Sequence, residues 1–566
     1  MFGKTAGEAL VDLLIDWEVE HIYGMPGDSI NSIIEALRKK QDKIKFIQVR
    51  HEEAGALAAA AYAKLTGKLG VCMAIAGPGA IHLLNGLYDA KLDKAPVLAI
   101  SGQVETDLLG TDFFQEVNLE RLFDDVAVYN QRIMSAEQLP AVVNQAIRMA
   151  YTKKGVSVLT IPDDVPKFEV KSGARVTNTS FTLPELFPQE EDLHAAKLAI
   201  NEAKKPVILA GKGAKHARES LLTFAEHIGA PIVLTLPAKG IIPDEHPLCI
   251  GGLGLIGTKP SYDAMKHADT LIMVGTSYPF TGFLPEKAKT IHIDTDPAQI
   301  GKRYVTDIGL AGDADKTLIW LIENAEKHED HSFLEHHQEM MKKWEEKLHD
   351  QEVDTSTPIK PQRVMHALQQ VAHDDAILSV DVGNVTVWTA RHFRMTNQQF
   401  IISSWLATLG CGLPGALAGK IAFPDKQVFA VCGDGGFGMT MNDFVTAVKY
   451  KLPIVVVVLN NNKIAMIKFE QEVMGNIEFG TDLTNPDFAK YAEACGGIGY
   501  RVENVDELLP TFENAVKQNR PCIIDVVVDA NEAPMPAKIT FGQAAGYTKH
   551  MIKELFEEGK IDLPPL

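Results

Sequence analysis

Short apolar runs alternate with stretches of helical period along most of this chain. Examples are VCMAIAG, APVLAISG, VSVLTIP, PVILAGKG, TLIMVGTS and IVVVVLN. Runs of this length fit buried strands, and strands that alternate with helices form parallel sheets covered by helices. The pattern therefore predicts an α/β protein built from doubly wound parallel sheets.

Two polar stretches interrupt the alternation. Residues 176–192 are polar and contain prolines, and residues 328–360 include a charge-dense segment with a helical pattern. We interpret both as linkers, which gives domains of residues 1–180, 190–335 and 360–566. A chain of 566 residues is long enough for three or four domains, each with its own core.

Composition bears on the partners and the location of the protein. The net charge of -19 disfavours a nucleic acid, since a polyanion would be repelled. The six cysteines are scattered without a C-x-x-C pair, which predicts reduced core residues in a cytoplasmic protein. The first 21 residues carry acids within an apolar pattern and predict an amphipathic helix, and the longest aliphatic run, 454–459, is too short to cross a bilayer.

The first and third domains contain similar segments. GKLGVCMAIAGPGAIHLLNGLYDAKLDKAPVLAIS and DKQVFAVCGDGGFGMTMNDFVTAVKYKLPIVVVVL share a strand, a G-x-G turn, a helix and a proline before the next strand. From Gly77 to Pro96 is 19 positions, and from Gly433 to Pro453 is 20. We interpret the similarity as a duplication; the alternative is that any strand-turn-helix-strand unit has this appearance.

The third-domain segment contains G-x-G-x-x-G, at Gly433, Gly435 and Gly438. This is the fingerprint of a dinucleotide site, but its second position is Asp434, where an anionic diphosphate would approach. The next strand ends in Asn460 to Asn462 instead of the acid that a ribose requires. Carboxylate and amide oxygens suit Mg²⁺, so we interpret the segment as a magnesium-diphosphate site.

G-D-G followed by N-N after the next strand resembles the signature of thiamine-diphosphate enzymes. The resemblance implies Asp434, Asn461 and the carbonyl of Lys463 as magnesium ligands. It also implies cofactor contacts from neighbouring residues of the same segments, namely Gly433, Gly435, Gly436, Ile464, Ala465 and Met466. In that family the cofactor lies between two domains of similar topology, as the internal similarity suggests.

The family also requires a carboxyl group that hydrogen-bonds the aminopyrimidine of the cofactor. In VRHEEAGALAAAAYAK, Glu52 resembles this catalytic glutamate, with Glu53 as its neighbour. The alternative is an ordinary acid at a helix N-terminus. In SSWLATLGCGLPGALAG, Leu409 stands where the family places a bulky side chain under the thiazolium, next to Ala407 and Thr408, although a core leucine is the alternative.

The middle domain resembles the FAD-binding members of the family, the pyruvate oxidases and acetohydroxyacid synthases. Its lone G-x-G, Gly211 and Gly213, is a weak signal, and the resemblance rests on the order of several strand-end segments. The implied FAD contacts are Gly211, Gly213, Gly254, Leu255, Ile256, Thr276, Ser277, Tyr278, Pro279, Phe280, Asp294 and Asp313.

Few residues distinguish an oxidase from a synthase. Gln115, in GTDFFQEVNL, borders the implied substrate site in both. Glu470 occupies a place where synthases carry a tryptophan, which favours the oxidase. Met466 stands where several oxidases have a phenylalanine and synthases often have methionine, so the synthase alternative stays open.

The resemblance implies oxidative decarboxylation of pyruvate to acetate and CO₂, with thiamine diphosphate, Mg²⁺ and FAD as cofactors and a quinone as acceptor. A phosphate-dependent oxidase that makes acetyl phosphate and H₂O₂ with oxygen, and an acetolactate synthase, are the alternatives. We expect a homo-oligomer, at least a dimer, with a tetramer favoured. The C-terminal tail from residue 541 has helix-spaced apolar positions but more acids than bases, which favours a tail packed on its own protein over an anchor. Transient contact with the inner face of the cell membrane stays open.

Overall fold

The computed structural model describes residues 4–170, 179, 181–534 and 550. These residues form three six-stranded sheets. Every strand pair is parallel. The α/β architecture with three doubly wound parallel sheets is thus confirmed, while the exact domain boundaries stay predictions.

The first sheet has the strand order β2-β1-β3-β4-β6-β5. Its strands are β1 His21–Gly24, β2 Lys45–Gln48, β3 Gly70–Ala74, β4 Val97–Gln103, β5 Ala127–Arg132 and β6 Val156–Pro162. The helices of this domain are α1 Ala6–Asp16, α2 Asn31–Lys39, α3 Glu52–Thr66, α4 Pro78–His82, α5 Leu84–Leu92, α6 Leu119–Leu122 and α7 Leu139–Lys153. The predicted first helix is confirmed, and a capping box of Thr5 and Glu8 fixes its start.

The middle sheet has the order β12-β11-β10-β7-β8-β9. Its strands are β7 Pro206–Ala210, β8 Ile232–Leu234, β9 Cys249–Gly252, β10 Thr270–Val274, β11 Lys289–Asp294 and β12 Ile308–Ala311. Its helices are α8 Glu190–Glu202, α9 Arg218–His227, α10 Lys259–His267 and α11 Ala314–Asn324. Counted within the domain, this is the order 3-2-1-4-5-6 of dinucleotide-binding sheets, with its switch point between β7 and β10.

Helix α12, Ser332–Glu352, follows the middle domain. It lies in the predicted linker and confirms the helical pattern there. The third sheet has the order β14-β13-β15-β16-β18-β17, which repeats that of the first sheet strand for strand. Its strands are β13 Ile377–Val380, β14 Gln399–Ile401, β15 Val428–Gly433, β16 Val455–Asn460, β17 Ile498–Val502 and β18 Cys522–Val527. Its helices are α13 Pro361–Val371, α14 Asn384–His392, α15 Gly412–Ala422, α16 Asp434–Thr440, α17 Phe444–Lys449, α18 Ala465–Val473, α19 Phe488–Ala494 and α20 Val505–Ala515.

The hydrophobic cores do not follow the domains one for one. One cluster of buried side chains contains residues of both the first and the third domain, because α3 packs against α15. Alanines on α3 and glycines on α15 permit this close approach, since neither has a long side chain. Each of these two domains also has a core of its own, so the shared cluster adds to the separate cores that were expected. The packing of α3 on α15 fixes how the two similar sheets face each other.

None of the described helices is both long and apolar enough to span a membrane. Most of the predicted C-terminal tail lies outside the described residues. Its His550 is buried, and its Nδ1 lies 2.7 Å from the carbonyl oxygen of Asn476.

Candidate active site

Asp434 lies at the carboxyl end of β15, as the first residue of α16. Its Oδ2 accepts a hydrogen bond of 2.7 Å from the main-chain N–H of Asn462, and its Oδ1 accepts one of 3.0 Å from that of Gly435. Asn462 has a φ of 55°, a conformation that asparagine tolerates better than most residues. The ends of β15 and β16 thus meet at this carboxylate.

Asn485 completes the cluster and was missed from the sequence. Its Nδ2 lies 2.7 Å from Asp434 Oδ2, 3.1 Å from Asn460 Oδ1 and 3.2 Å from Asn462 Oδ1. It follows a long loop after α18 and comes to the site only through the fold. No periodicity or strand-end position marks it in the sequence.

Burial dominates the electrostatics of Asp434. Burial raises the pKa of this carboxyl group to about 6. The hydrogen bonds from Asn485, Gly435 and Asn462 favour the charged form and lower the pKa, but their effect is smaller than that of burial. A buried carboxylate that carries no paired cation among the described residues is suited to receive one. The donor set of a carboxylate next to amide oxygens fits Mg²⁺.

The other two predicted metal ligands lie on the same turn. Asn461 Oδ1 accepts a hydrogen bond of 3.1 Å from the main-chain N–H of Lys463. The Lys463 ammonium group is 2.7 Å from both Glu478 and Asp482, so its charge is already paired. The structure therefore brings Asp434, Asn461 and Lys463 together, and their coordination of a metal remains a prediction.

Glu52 is the first residue of α3 and is 8% exposed. Its Oε2 lies 3.0 Å from Nδ1 of His82, whose ring stacks on that of His51 with centroids 4.4 Å apart. A Cβ atom on Gly79 would lie 3.2 Å from Glu52 Oε1. The carboxyl group is thus largely shielded from water. The imidazole of His82 contacts one of its oxygens, and Gly79, which has no side chain, lies next to the other.

A hydrogen-bonded link joins this region to the third domain. Asn85 Nδ2 lies 2.6 Å from Glu53 Oε1 and 2.8 Å from Thr408 Oγ1. Ala407, beside Thr408, has a φ of 55°, and Leu409 is half-buried. The fold thus brings Thr408 to Glu53. Within the described part of the chain, no hydrogen bond or ion pair joins Glu52 to Asp434.

Asp381, at the carboxyl end of β13, is fully buried and was also missed. Its Oδ1 accepts hydrogen bonds from the main-chain N–H groups of Val382, at 2.8 Å, and Gly410, at 2.9 Å. A Cβ atom on Gly436 would lie 2.8 Å from its carboxyl group. Burial raises its pKa to about 6. Asp381 therefore holds the 407–410 segment against the G-D-G-G turn, and its place at a strand end was the signal that could have found it.

Gln115 lies in a loop over the G-P-G turn of the first domain. It has a φ of 63°, and a Cβ atom on Gly77 would lie 2.8 Å from its carbonyl oxygen. Since this turn also carries Gly79, which faces Glu52, the loop lies next to the predicted catalytic carboxyl group.

Met466 and Glu470 lie one turn apart on α18, directly after the Asn461–Lys463 turn. Residues four apart share one face of a helix. Met466 is half-buried and Glu470 is exposed. Both residues thus follow the turn that carries the predicted metal ligands Asn461 and Lys463. Their roles in catalysis remain predictions.

The predicted FAD residues gather at the carboxyl ends of the middle strands. The main-chain N–H of Gly211 donates to Val274 at 2.8 Å, and that of Gly213 donates to Gly275 at 3.1 Å. A Cβ atom on Gly211 would lie 2.4 Å from the carbonyl oxygen of Gly275. These glycines are thus required for two turns to pack at the switch point, whether or not a ligand binds there.

Several other predicted FAD residues have protein partners. Asp313 caps α11 through the N–H of Lys316 and lies 2.8 Å from Nε2 of His216. Asp294 Oδ1 accepts from the N–H of Asp296 at 2.9 Å. Arg303 donates to the carbonyl oxygen of Ser277 at 2.9 Å. Thr276 and Pro279 lie in the same segment after β10.

Two aromatic residues of that segment differ in their surroundings. Tyr278 is 4% exposed, and its hydroxyl group has no hydrogen-bond partner among the described residues. Phe280 is 58% exposed, and Leu255, in the loop after Gly254, is 57% exposed. Arg391 of α14 donates to the carbonyl oxygens of Leu255, at 2.9 Å, and Ile256, at 3.2 Å, which ties the loop after Gly254 to the third domain.

Comparison with known proteins agrees with this geometry. The chain matches the N-terminal TPP binding domain of thiamine pyrophosphate enzymes over residues 4–122, their central domain over 193–321 and their C-terminal TPP binding domain over 381–526. The chain therefore belongs to the thiamine pyrophosphate enzyme family, in which thiamine pyrophosphate is another name for thiamine diphosphate.

Individual relatives cover nearly the whole chain. YdaP of Bacillus subtilis, whose name assigns it thiamine pyrophosphate without an activity, is 54% identical over 100% of this chain and 99% of its own length. The pyruvate oxidase of Lactiplantibacillus plantarum is 39% identical over 94% of this chain and 90% of its own. The acetolactate synthase large subunit of Corynebacterium glutamicum is 33% identical over 94% of this chain and 88% of its own.

The family resemblance and the thiamine-diphosphate enzyme class are thus confirmed. The individual site residues, the flavin, the magnesium ion and the oligomeric state remain predictions.

Proposed function

We propose that this enzyme catalyses the oxidative decarboxylation of pyruvate. Pyruvate, water and a quinone yield acetate, CO₂ and a quinol, with two electrons passing through FAD. The pyruvate oxidase relative, more similar than the synthase relative over the same share of this chain, supports this substrate.

The surroundings of Glu52 are the observation that carries the proposal. Thiamine diphosphate, when bound, supplies a carbanion at C2 and an electron sink for the decarboxylation. Glu52 would supply the carboxyl group that exchanges a proton with the aminopyrimidine, a task that needs a position largely shielded from water. Glu52 is buried at a helix start, with one oxygen held by His82 and the other facing Gly79.

Asp434 and its neighbours would hold the diphosphate and its magnesium ion. The carboxylate lies at the junction of β15 and β16, where the main chain of Gly433 to Gly436 carries no bulky side chain. Magnesium would anchor the cofactor here, and the proton transfer would remain with Glu52.

The middle sheet supports FAD. Its strand order is that of dinucleotide-binding sheets, whose ligands bind outside the carboxyl ends at the switch point. Gly211 and Gly213 lie at that point, Asp294 is the last residue of β11, and Asp313 follows the edge strand β12. A flavin here would allow oxidation of the decarboxylated product, whereas acetolactate formation needs no electron acceptor.

A single assay separates the candidates. Purified protein is incubated anaerobically with pyruvate, thiamine diphosphate, Mg²⁺ and a water-soluble quinone analogue, and quinone reduction, acetate and acetolactate are measured together. We expect acetate and quinol in equal amounts. Acetolactate without quinone reduction would contradict the proposal in favour of a synthase.

A parallel assay with oxygen and phosphate tests the other oxidase. If acetyl phosphate and H₂O₂ form and their formation depends on phosphate, the electron acceptor is oxygen and the quinone part of the proposal is wrong. Glu52→Gln serves as the matched control in both assays, because it keeps the shape of the side chain and removes its ionisation.

A further inference from the structure

A cleft opens where the three domains meet, beside the carboxyl ends of β7 and β8. Its lining includes Lys64 and Asp93 of the first domain, Lys212, Lys215 and Lys239 of the middle domain, and Ser404 of the third. Four lysines thus converge on one cleft in a chain whose net charge is -19. Such a concentration of cations has to be balanced by anions, from the protein or from a ligand.

Three carboxylates of the protein form ion pairs with two of these lysines. Lys64 is buried and lies 2.6 Å from Asp89 and 2.5 Å from Asp93. Lys239 lies 2.5 Å from Asp244. Asp89 Oδ1 has no hydrogen-bond partner among the described residues, and Asp93 and Asp89 attract Lys212 at longer range. Three carboxylates nevertheless leave the four lysines of the cleft with an excess of positive charge.

Lys212 and Lys215 have no hydrogen bond or ion pair with any described residue. Lys212 is the middle residue of the G-K-G turn after β7, and Lys215 follows it by three positions on the 3-10 helix Lys212–Ala217. In a 3-10 helix, residues three apart lie above one another, so both ammonium groups project from one side. Burial lowers the pKa of Lys212 to about 8, although the carboxylates of Asp93 and Asp89 act in the opposite direction. The cost of withdrawing this amine from water is thus only partly offset by the protein.

We propose that this cleft binds a phosphate-bearing anion, with Lys212 and Lys215 as its cations. Lysine binds phosphate as a point charge, and two ammonium groups on one side of a short helix match several oxygens of one phosphate or diphosphate. Two sources share this chemistry: the diphosphate of a dinucleotide in the middle domain, and a free phosphate compound. The dinucleotide source rests on the proposed function, since it requires FAD in this chain.

The test uses the full chain, stripped of any flavin, as wild type, Lys212→Met and Lys215→Met. Methionine keeps the length of the side chain and removes its charge. Lys266→Met is the matched control, because Lys266 is an exposed lysine of the same domain outside the cleft. The probes are FAD, riboflavin, which lacks phosphate, and inorganic diphosphate, each titrated by calorimetry at fixed ionic strength.

We expect Lys212→Met to weaken the binding of FAD or inorganic diphosphate by about tenfold or more, as for the loss of one charged hydrogen bond. Lys215→Met should weaken it less, because Lys215 is more exposed. Riboflavin affinity should be unchanged in both, and Lys266→Met should match wild type for every probe. Competition between diphosphate and FAD would identify the dinucleotide as the source, and simultaneous binding would identify a free phosphate compound.

The outcomes separate the inference from the proposed function. If wild type binds diphosphate through Lys212 but binds no flavin, the flavin part of the proposed function fails and the inference stands. If both cleft variants bind FAD and diphosphate as wild type does, or if wild type binds neither probe, the inference is overturned. Circular dichroism and thermal midpoints of each variant establish that a loss of binding is not a loss of folding.

Discussion

The buried carboxylate of Asp434 should destabilise the protein when its ligands are absent. Its pKa rises from 3.8 to about 6 on folding, with burial as the main cause. Because the folded pKa is raised, the protonated acid is favoured in the folded state. The stabilising effect of the protonated acid is fully present below pH 3.8 and is lost as the pH rises through about 6. Above that pH the buried carboxylate is charged and destabilises the folded state. A difference of about two units corresponds to about 3 kcal/mol at pH 7.5.

Asp434→Asn removes this charge and keeps the shape. The amide can still accept from Asn462 and Asn485 through its oxygen, but its NH₂ group then faces the N–H of Gly435, which costs about 1 kcal/mol. The net expectation is a gain of about 2 kcal/mol for the cofactor-free protein at pH 7.5, or a rise in Tm of roughly 4 to 8 °C for a unit of the size of the third domain. The same variant should lose magnesium-dependent binding of thiamine diphosphate.

The assay is a pair of thermal unfolding series in EDTA between pH 5 and 8, for wild type and Asp434→Asn. The advantage of the variant should fall by roughly two thirds at pH 5, to about 0.6 kcal/mol, because wild-type Asp434 is then mostly protonated in the folded state. Asp425→Asn, which changes an exposed aspartate of the same domain, should follow wild type throughout. A variant without a higher Tm, or with an advantage that does not change with pH, would refute the reasoning.

Three further predictions concern single residues. Glu52→Gln should lower turnover by about 10²- to 10⁴-fold, with thiamine diphosphate affinity by calorimetry within a few-fold of wild type; high remaining turnover would show that another carboxyl group acts. Gly436→Ala should weaken thiamine diphosphate binding and lower the Tm, because its Cβ would lie 2.8 Å from Asp381, whereas Gly438→Ala, with open space, should do neither. Gly86→Ala should destabilise the protein by about 1 to 3 kcal/mol in urea unfolding, since its Cβ would lie 2.5 Å from the main chain of α3; an unchanged midpoint would contradict the α3–α5 packing.

Local patterns along the chain were sufficient for much of the fold. The alternation of apolar runs and helical stretches predicted parallel sheets, and the similar segments around Gly77 and Gly433 predicted two domains of one topology, which the identical strand orders confirm. Strand ends are visible in a sequence because a buried apolar run stops there. The side chains that follow, such as Asp434 and Asn461, could therefore be proposed as a site.

Other site residues depend on contacts between distant parts of the chain. Asn485 reaches Asp434 from 51 positions away, and Asn85 reaches Thr408 from 323 positions away in another domain. The unpaired state of Lys212 likewise follows from how three domains meet around one cleft.

The sequence by itself thus determined the class of fold, the family and the segments that carry the cofactor chemistry, because each is written in short runs of neighbouring residues. Only the tertiary structure decided which carboxylates are dry, which amides hold them and which lysines lack an anion. Burial and pairing depend on what lies across the chain, and no local pattern contains that information.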